Sequence, residues 1–282
     1  MTSISIAAAA IKDVESVGAS EMELGLKGKT ALVLGGGSGL GKGIALSLAR
    51  EGARVAIAGR TQATLDATVN EIGSAGSEGL ALGWDITDLT IIETQFGAIE
   101  KRFGTVDILV NNTGGPPPTP AAGQDPELWA KNFRSMILPV FAITDRALPA
   151  MRAKKWGRII TSASSGVIVP IPNLAISNSL RMSLVGWSKT LSTEVAKEGI
   201  TVNMILPGRI ATDRLRFLDE NKAKREGRPV EEIQNQSMAS IPVGRYGEIK
   251  EYGDTVAFLA SELASYITGT VVRVDGGAAP CI

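Results

Sequence analysis

Three observations predict an α/β fold, a single doubly wound Rossmann-type domain with a seven-stranded, mostly parallel sheet and helices on both faces. From residue 28 onward, short apolar runs alternate with segments of helical pattern, the order that βαβ units require. The runs are almost continuously apolar, as Ile108-Leu109-Val110 and Val202-Asn203-Met204-Ile205-Leu206 illustrate, which suits strands buried on both faces. The first run, Thr30-Ala31-Leu32-Val33-Leu34, leads straight into Gly35-Gly36-Gly37-Ser38-Gly39-Leu40-Gly41 and then a helical pattern. A glycine turn between strand and helix lets an anionic group approach the backbone and the unpaired N–H groups of the helix start.

Taken in order, strands are expected over 30–34, 54–58, 79–84, 106–110, 157–162, 200–206 and 270–274. Helices are expected over 40–51, 62–74, 89–103, 126–153, 175–198 and 248–261. Two segments interrupt the alternation. Gly114-Gly115-Pro116-Pro117-Pro118-Thr119-Pro120 is a stiff, extended loop. It follows a strand, at the carboxyl edge of the sheet where open α/β proteins place ligands. The charged stretch from Thr212 to about Ser240 is too long for an ordinary connection. It reads either as a substrate lid over 212–245 or as a surface excursion. Residues 1–25 read as an N-terminal extension to a domain over 26–282, without the basic residues that precede the apolar part of a secretory signal.

Composition excludes several function classes. The chain has 282 residues, 44% of them hydrophobic, and 29 basic residues balance 29 acidic ones. A neutral chain of this kind does not read as a nucleic-acid binder. No apolar run approaches the roughly 20 residues that span a bilayer. There is no histidine, so no Ser-His-Asp triad and no histidine metal site, and no metal is expected. The single cysteine, Cys281, precludes an intrachain disulfide and fits a cytoplasmic protein.

The glycine turn admits two phosphate sites. Gly36-x-x-x-x-Gly41-Lys42-Gly43 nearly matches a P-loop, but Gly43 has no hydroxyl for magnesium. That omission argues against an NTPase. The alternative is a dinucleotide site. Here the spacing Gly35-x-x-x-Gly39-x-Gly41 resembles the T-G-x-x-x-G-x-G pattern of the short-chain dehydrogenase/reductase family, with Leu34 in the threonine place. Asn111-Asn112-Thr113-Gly114 is similar to that family's N-N-A-G, and Pro207-Gly208 with Thr212 to its P-G-x-x-x-T. Asp85 matches its adenine-contacting acid, and Ile267-Thr268-Gly269 and Val274-Asp275-Gly276-Gly277 resemble its C-terminal signature.

The resemblance implies a nicotinamide cofactor held by Gly35, Gly37, Ser38, Gly39, Leu40, Gly41, Arg60, Asp85, Ile86, Asn112, Thr113, Gly114, Arg181, Pro207, Gly208 and Thr212. The end of the second strand, Ala58-Gly59-Arg60, offers a cation and no carboxylate. NADP(H) is therefore expected in preference to NAD(H), because a carboxylate there would serve a ribose 2′-OH and repel a 2′-phosphate.

The resemblance also implies a catalytic Y-x-x-x-K, and here the chain departs from it. Counting back from Leu184–Leu191 and Gly199–Asn203, the tyrosine place holds Ser177 and the lysine place Arg181, with the upstream serine on Ser164. The asparagine place falls on Met136, one turn from Asn132. Serine is a far weaker acid than tyrosine, and arginine exchanges its proton poorly. Three accounts follow: a reductase in which Ser164 and Arg181 polarise the carbonyl while Ser177 or water supplies the proton; a cofactor-binding relative serving as sensor or scaffold; or an enzyme whose substrate needs no tyrosine. The tyrosines, Tyr246, Tyr252 and Tyr266, read as packing residues.

On the substrate side, Val167-Ile168-Val169-Pro170-Ile171-Pro172 is expected to line an apolar pocket. Arg181, Arg209 and Arg214 are expected at the carboxyl edge, suiting an acidic group on a small carbonyl or hydroxyl substrate. The resemblance extends to 3-oxoacyl-carrier-protein reductases and implies a dimer or tetramer built through helices 126–153 and 175–198.

Overall fold

The computed structural model describes residues 23–281. Most of the expected N-terminal extension therefore lies outside the described residues. Seven strands form one sheet: β1 (Thr30–Leu34), β2 (Arg54–Gly59), β3 (Gly79–Gly83), β4 (Ile108–Asn112), β5 (Gly157–Ser162), β6 (Ile200–Pro207) and β7 (Val271–Val274). Their spatial order is β3-β2-β1-β4-β5-β6-β7, and every pairing is parallel. The chain winds outward from β1 in one direction and then from β4 in the other. The crevice at that reversal opens at the carboxyl ends of the strands.

The helices are α1 (Gly39–Arg50), α2 (Gln62–Ser74), α3 (Ile92–Phe103), α4 (Pro126–Met136), α5 (Leu138–Lys154), α6 (Ala175–Val195), α7 (Asp213–Glu226), α8 (Val230–Ala239) and α9 (Ile249–Ala260). Strand side chains alternate between two cores. Ala31, Val33, Val55 and Ile57 pack with Ile44, Leu48, Leu65, Ile72 and Val256 beneath α1, α2 and α9. Leu32, Leu34, Ala56 and Ala58 pack with Phe96, Ile99, Ile143 and Val195 beneath α3, α5 and α6. This two-residue alternation explains why the runs read as continuously apolar.

Helices α1 and α9 approach through glycine. A Cβ on Gly43 would come within 2.6 Å of the Ile249 carbonyl oxygen, and one on Gly253 would overlap the Gly43 backbone. The position where a P-loop carries a hydroxyl is thus occupied by helix packing.

Several boundaries differ from expectation, and four of the differences reshape an element. The helix expected over 126–153 is two, α4 and α5, meeting at Ile137 with Pro139 in the first turn of α5. Proline has no N–H to continue a preceding helix but is tolerated in a first turn. The stretch from Thr212 is α7 and α8, separated after Gly227 (φ 64). The fourth strand runs two residues further than expected, carrying Asn111 and Asn112 to the sheet edge opposite Thr161 and Ser162. The expected helix over 89–103 opens as a 3-10 turn at Leu89–Ile91 before α3. Among the described residues, no helix is long and apolar enough to cross a membrane, and no cluster of acidic or cysteine side chains could hold a metal ion.

Candidate active site

A cleft of about 740 Å³ runs along the carboxyl edge of the sheet. Its central part is the glycine turn. Gly35 and Gly39 have left-handed backbone angles, φ 66 and φ 51. Both line the cleft with Gly37, Ser38 and Leu40. Space here is tight: a Cβ on Gly36 would lie 2.6 Å from Ile57 side-chain atoms, and one on Gly37 2.8 Å from Thr64 Oγ1. Ser38 is the N-cap of α1, yet its side chain makes no capping bond, and the first turn carries no acid. The N–H groups and the positive end of the helix dipole are left to the cleft.

At one end, Ala58, Gly59, Arg60, Thr61, Thr64, Trp84, Asp85, Ile86 and Thr87 line the cleft. Asp85 accepts from the Thr87 N–H (3.0 Å) and hydroxyl (2.8 Å). The Thr87 backbone N–H holds the Asp85 carboxyl below its usual range against the opposing effect of burial, aided by the Thr87 hydroxyl and the Arg60 charge. Among the described residues, no carboxylate lies within ion-pair reach of Arg60.

At the other end the lining is Asn112 to Pro116, Asn132, Ser135, Met136, Ser162, Ala163, Arg181 and Thr212 to Arg214. Arg181 is 6% exposed. Its Nη2 donates to the carbonyl oxygens of Thr113 (2.9 Å) and Gly114 (3.1 Å), and Nη1 to that of Ser162 (3.5 Å). Burial, opposed by Tyr252 and assisted by the charge of Arg214, lowers its pKa to about 10, so the guanidinium stays charged at neutral pH. Behind Ser162, its Oγ lies 2.9 Å from the hydroxyl of Tyr252, which also donates to the Ile205 carbonyl oxygen at 3.2 Å. Burial pushes the Tyr252 phenol well above its ordinary range. Thr113 Oγ1 is buried and has no partner, although Thr113 lines the cleft.

The donor set fits a dinucleotide. Open helix N–H groups behind a glycine cradle suit a pyrophosphate. An ionised carboxylate stands on one side of that cradle and a fixed cation on the other, and Thr113 retains an unspent hydroxyl.

Comparison with known proteins gives the family. A family model described as Enoyl-(Acyl carrier protein) reductase matches residues 35–279. The chain belongs to the short-chain dehydrogenase/reductase family. It is 37% identical over 256 residues to the 3-oxoacyl-[acyl-carrier-protein] reductase FabG of Escherichia coli, covering 90% of this chain and 98% of that protein. The L-sorbose reductase of Gluconobacter frateurii, solved with NADPH and L-sorbose, superimposes with a TM-score of 0.87 at 29% identity, covering 93% of this chain and all of that one. An NAD+-bound xylitol dehydrogenase superimposes with a TM-score of 0.82 at 25% identity, covering 89% and 99%. Solved neighbours thus hold either nicotinamide cofactor.

Within this short-chain fold, most predicted cofactor positions converge on the cleft: Gly35, Gly37, Ser38, Gly39, Leu40, Arg60, Asp85, Ile86, Asn112, Thr113, Gly114, Arg181 and Thr212 all line it. Three cofactor positions do not. Gly41 is pressed against Gly35, where an added Cβ would lie 2.7 Å from its carbonyl carbon. Pro207 closes β6 in register with Val274, and Gly208 packs against Asp275, 2.5 Å from where its Cβ would stand.

The catalytic candidates divide. Arg181 lines the cleft, whereas Ser164 and Ser177 are absent from its lining. Ser164 Oγ is turned back to accept from the Gly166 N–H (3.1 Å), capping the 3-10 turn Ser165–Val167. Ser177 is buried on α6, one turn before Arg181. The apolar segment Val167–Pro172 does not line the cleft either, so the reactive end is more polar than expected. Of the three arginines, Arg214 lines the cleft and donates to the Pro116 carbonyl oxygen at 3.3 Å. Arg209 instead pairs with buried Asp219 at 3.0 Å beside a separate cavity of about 130 Å³. Asp219 is also bonded by the Tyr246 hydroxyl at 2.8 Å.

Gly115 and Pro116 of the loop expected at the ligand edge line the cleft, and Ser162, Trp84, Thr61, Thr64 and Ser135 line it without having been singled out in the sequence. Ser162, the last residue of β5, and Trp84, just past β3, were available from the rule that ligands gather at strand carboxyl ends. Ser135 depends on how α4 docks, which carries no local signal.

Proposed function

We propose that the protein is an NADP(H)-dependent oxidoreductase acting on a carbonyl or hydroxyl group with a non-standard catalytic site. The observation that carries this reading is one continuous cleft. It runs from an unpaired Arg60, with no carboxylate at the end of β2, to the buried guanidinium of Arg181. The relatives support the reaction class, since FabG and the sorbose protein are both named as reductases. When bound, the nicotinamide supplies or accepts the hydride.

In this reading Arg60 meets the 2′-phosphate, and the N–H groups at the start of α1 meet the pyrophosphate. Arg181 stabilises negative charge developing on the substrate oxygen. Its role replaces part of what a lysine does, without exchanging a proton readily. The proton comes from water, because Ser177 is buried and does not line the cleft, and Ser164 holds the turn beside Ala163. Helix α7 acts as a lid, supported by the Arg214 contact to the Pro116 loop. Exposed apolar side chains Phe133 on α4 and Met182 on α6 support a dimer or tetramer through those helices.

A second reading, a cofactor-binding relative without turnover, is favoured by one observation: apolar Met136 lines the reactive end while neither Ser164 nor Ser177 does. Two measurements separate the readings. Fluorescence titration should give tighter binding of NADPH than NADH, and Arg60→Ala should weaken NADPH by about 10–100-fold with little change for NADH, the worth of a charge-assisted hydrogen bond of about 1.5–3 kcal/mol. NADPH consumption over a carbonyl panel then decides turnover. Tight binding with no consumption by wild type, and a gain by Ser177→Tyr/Arg181→Lys, supports the second reading. Equal affinity for both cofactors in wild type and Arg60→Ala would refute the NADP(H) assignment.

A further inference from the structure

The reactive end of the cleft is over-supplied with positive charge. Arg181 is buried, and among the described residues no carboxylate lies within ion-pair reach of it or of Arg214. Main-chain carbonyls of Thr113, Gly114 and Ser162 take three of the five N–H groups of Arg181. Two remain, and dipoles of this kind offset a buried charge without neutralising it. Arg214, in the first turn of α7, reaches across to the Pro116 carbonyl oxygen, and it is near enough to Arg181 for its charge to be felt there. The acid at this end, Asp213, is 88% exposed at its side chain and paired to Arg216 at 2.7 Å. The rest of the lining at this end is uncharged, polar at Asn132 and Ser135 and apolar at Met136.

Two guanidinium groups of like charge line one cleft without a counter-ion; water screens that of exposed Arg214, so the penalty is chiefly the unmet charge of buried Arg181. A planar anion between them removes that penalty, and the guanidinium fork matches the two oxygens of a carboxylate. The cofactor phosphates have their own donors elsewhere, at the start of α1 and at Arg60. We infer that the substrate carries a carboxylate held by Arg181 and Arg214, so that the protein acts on small oxo acids and the matching hydroxy acids. This names the substrate class for the oxidoreductase reading above and rests on it. In the reductive direction, an oxo acid, NADPH and one proton give a hydroxy acid and NADP+. The carbonyl carbon gains the hydride, the carbonyl oxygen gains the proton from solvent, and the carboxylate is unchanged. The charge of Arg181 then serves both the carboxylate and the adjacent carbonyl oxygen.

The test uses the full chain with 2-oxo and 3-oxo acids of four to six carbons and their methyl esters. NADPH consumption gives kcat/KM, and calorimetric titration of the NADP+-loaded protein gives the dissociation constants of the matching hydroxy acids and hydroxy esters. Acids are expected to exceed esters by about 10–100-fold in both readouts, the usual range for a charge-assisted pair. Arg214→Gln should raise KM and the dissociation constant for acids about tenfold. Arg214→Lys, which keeps the charge and loses the fork, should recover part of the loss. Acid binding that depends on Arg214 without turnover of any pair would sustain the carboxylate site and sink the oxidoreductase reading. Equal handling of acids and esters overturns the inference. So does an Arg214→Gln loss that falls on NADPH affinity as heavily as on the acids.

Discussion

Substituting Gly41 with alanine tests whether the glycine turn is a close-packed seat or simply flexible. Gly41 lies inside α1, where alanine is ordinarily favoured over glycine by about 0.8–1.0 kcal/mol. The added Cβ would lie 2.7 Å from the Gly35 carbonyl carbon and 3.1 Å from Asn112 Nδ2. Carbon atoms normally approach to about 3.5–4.0 Å, so the first turn of α1 must retreat by about 1 Å from the end of β1. Overpacking of this size costs about 1–3 kcal/mol, which outweighs the propensity gain. Stability should therefore fall by up to about 2 kcal/mol. Moving the helix N–H groups about 1 Å takes hydrogen bonds out of their normal range of about 2.7–3.2 Å, so NADPH should bind at least about tenfold more weakly. Urea denaturation and fluorescence titration read the two effects. Gly97→Ala is the control: it is a helical glycine in the middle of α3, with nothing within 4 Å of an added Cβ. It should gain about 1 kcal/mol and leave NADPH binding unchanged. If Gly41→Ala gains stability as Gly97→Ala does, and binds NADPH within twofold of wild type, the steric argument is wrong.

Tyr252→Phe should lower stability by about 1–3 kcal/mol, because it leaves buried Ser162 Oγ and the Ile205 carbonyl without the phenol; adding Ser162→Ala should cost less than the sum of the two single changes, as read by urea midpoints. Asp107→Ala should cost a similar amount, since the Asp107 carboxylate is buried, accepts from the Thr30 N–H at 2.9 Å and pairs with Lys154. The Arg245 side chain, helped by the Glu248 backbone N–H, holds the Glu251 carboxyl at about 2 against an ordinary 4.5. A depressed acid contributes stability above its unfolded pKa and loses it as pH falls toward its folded pKa. The urea midpoints of wild type and Glu251→Gln should therefore differ most above pH 4.5 and converge as pH approaches 2; a constant difference across that window would refute the pairing.

Much of the fold was legible because its signals are local. The inner strands announced themselves through side chains buried on both faces, whereas β3 and β7 at the sheet edges are only partly buried, and the glycine turn announced itself through its run of glycines between strand and helix. Arg181 was located by counting from a strand and helix whose register the sequence also displays. The break at Ile137 was readable in principle from Pro139, but the strong helical pattern on both sides masked it. The cleft lining was less legible. Arg209 and Arg214 stand five residues apart, yet one is captured by Asp219 and the other reaches Pro116. Ser164 matched the family spacing, but the Gly166 N–H takes its hydroxyl. Ser162, two residues earlier, lines the cleft where Ser164 does not.

The sequence alone determined the α/β class, the order of strands and helices along the chain and the strand–glycine turn–helix unit, and it carries the expectation that Ser177 and Arg181 stand in the family's tyrosine and lysine places. Those features depend on periodicity, on the absence of side chains in one turn and on spacing, all written in neighbouring residues. Tertiary structure decided which side chains reach the cleft and which cations remain unpaired. Arg181, from α6, meets the carbonyls of Thr113 and Gly114 after β4 and shares the cleft with Arg214 from α7. Partners of that kind lie dozens of residues apart and are selected by how helices dock on the sheet.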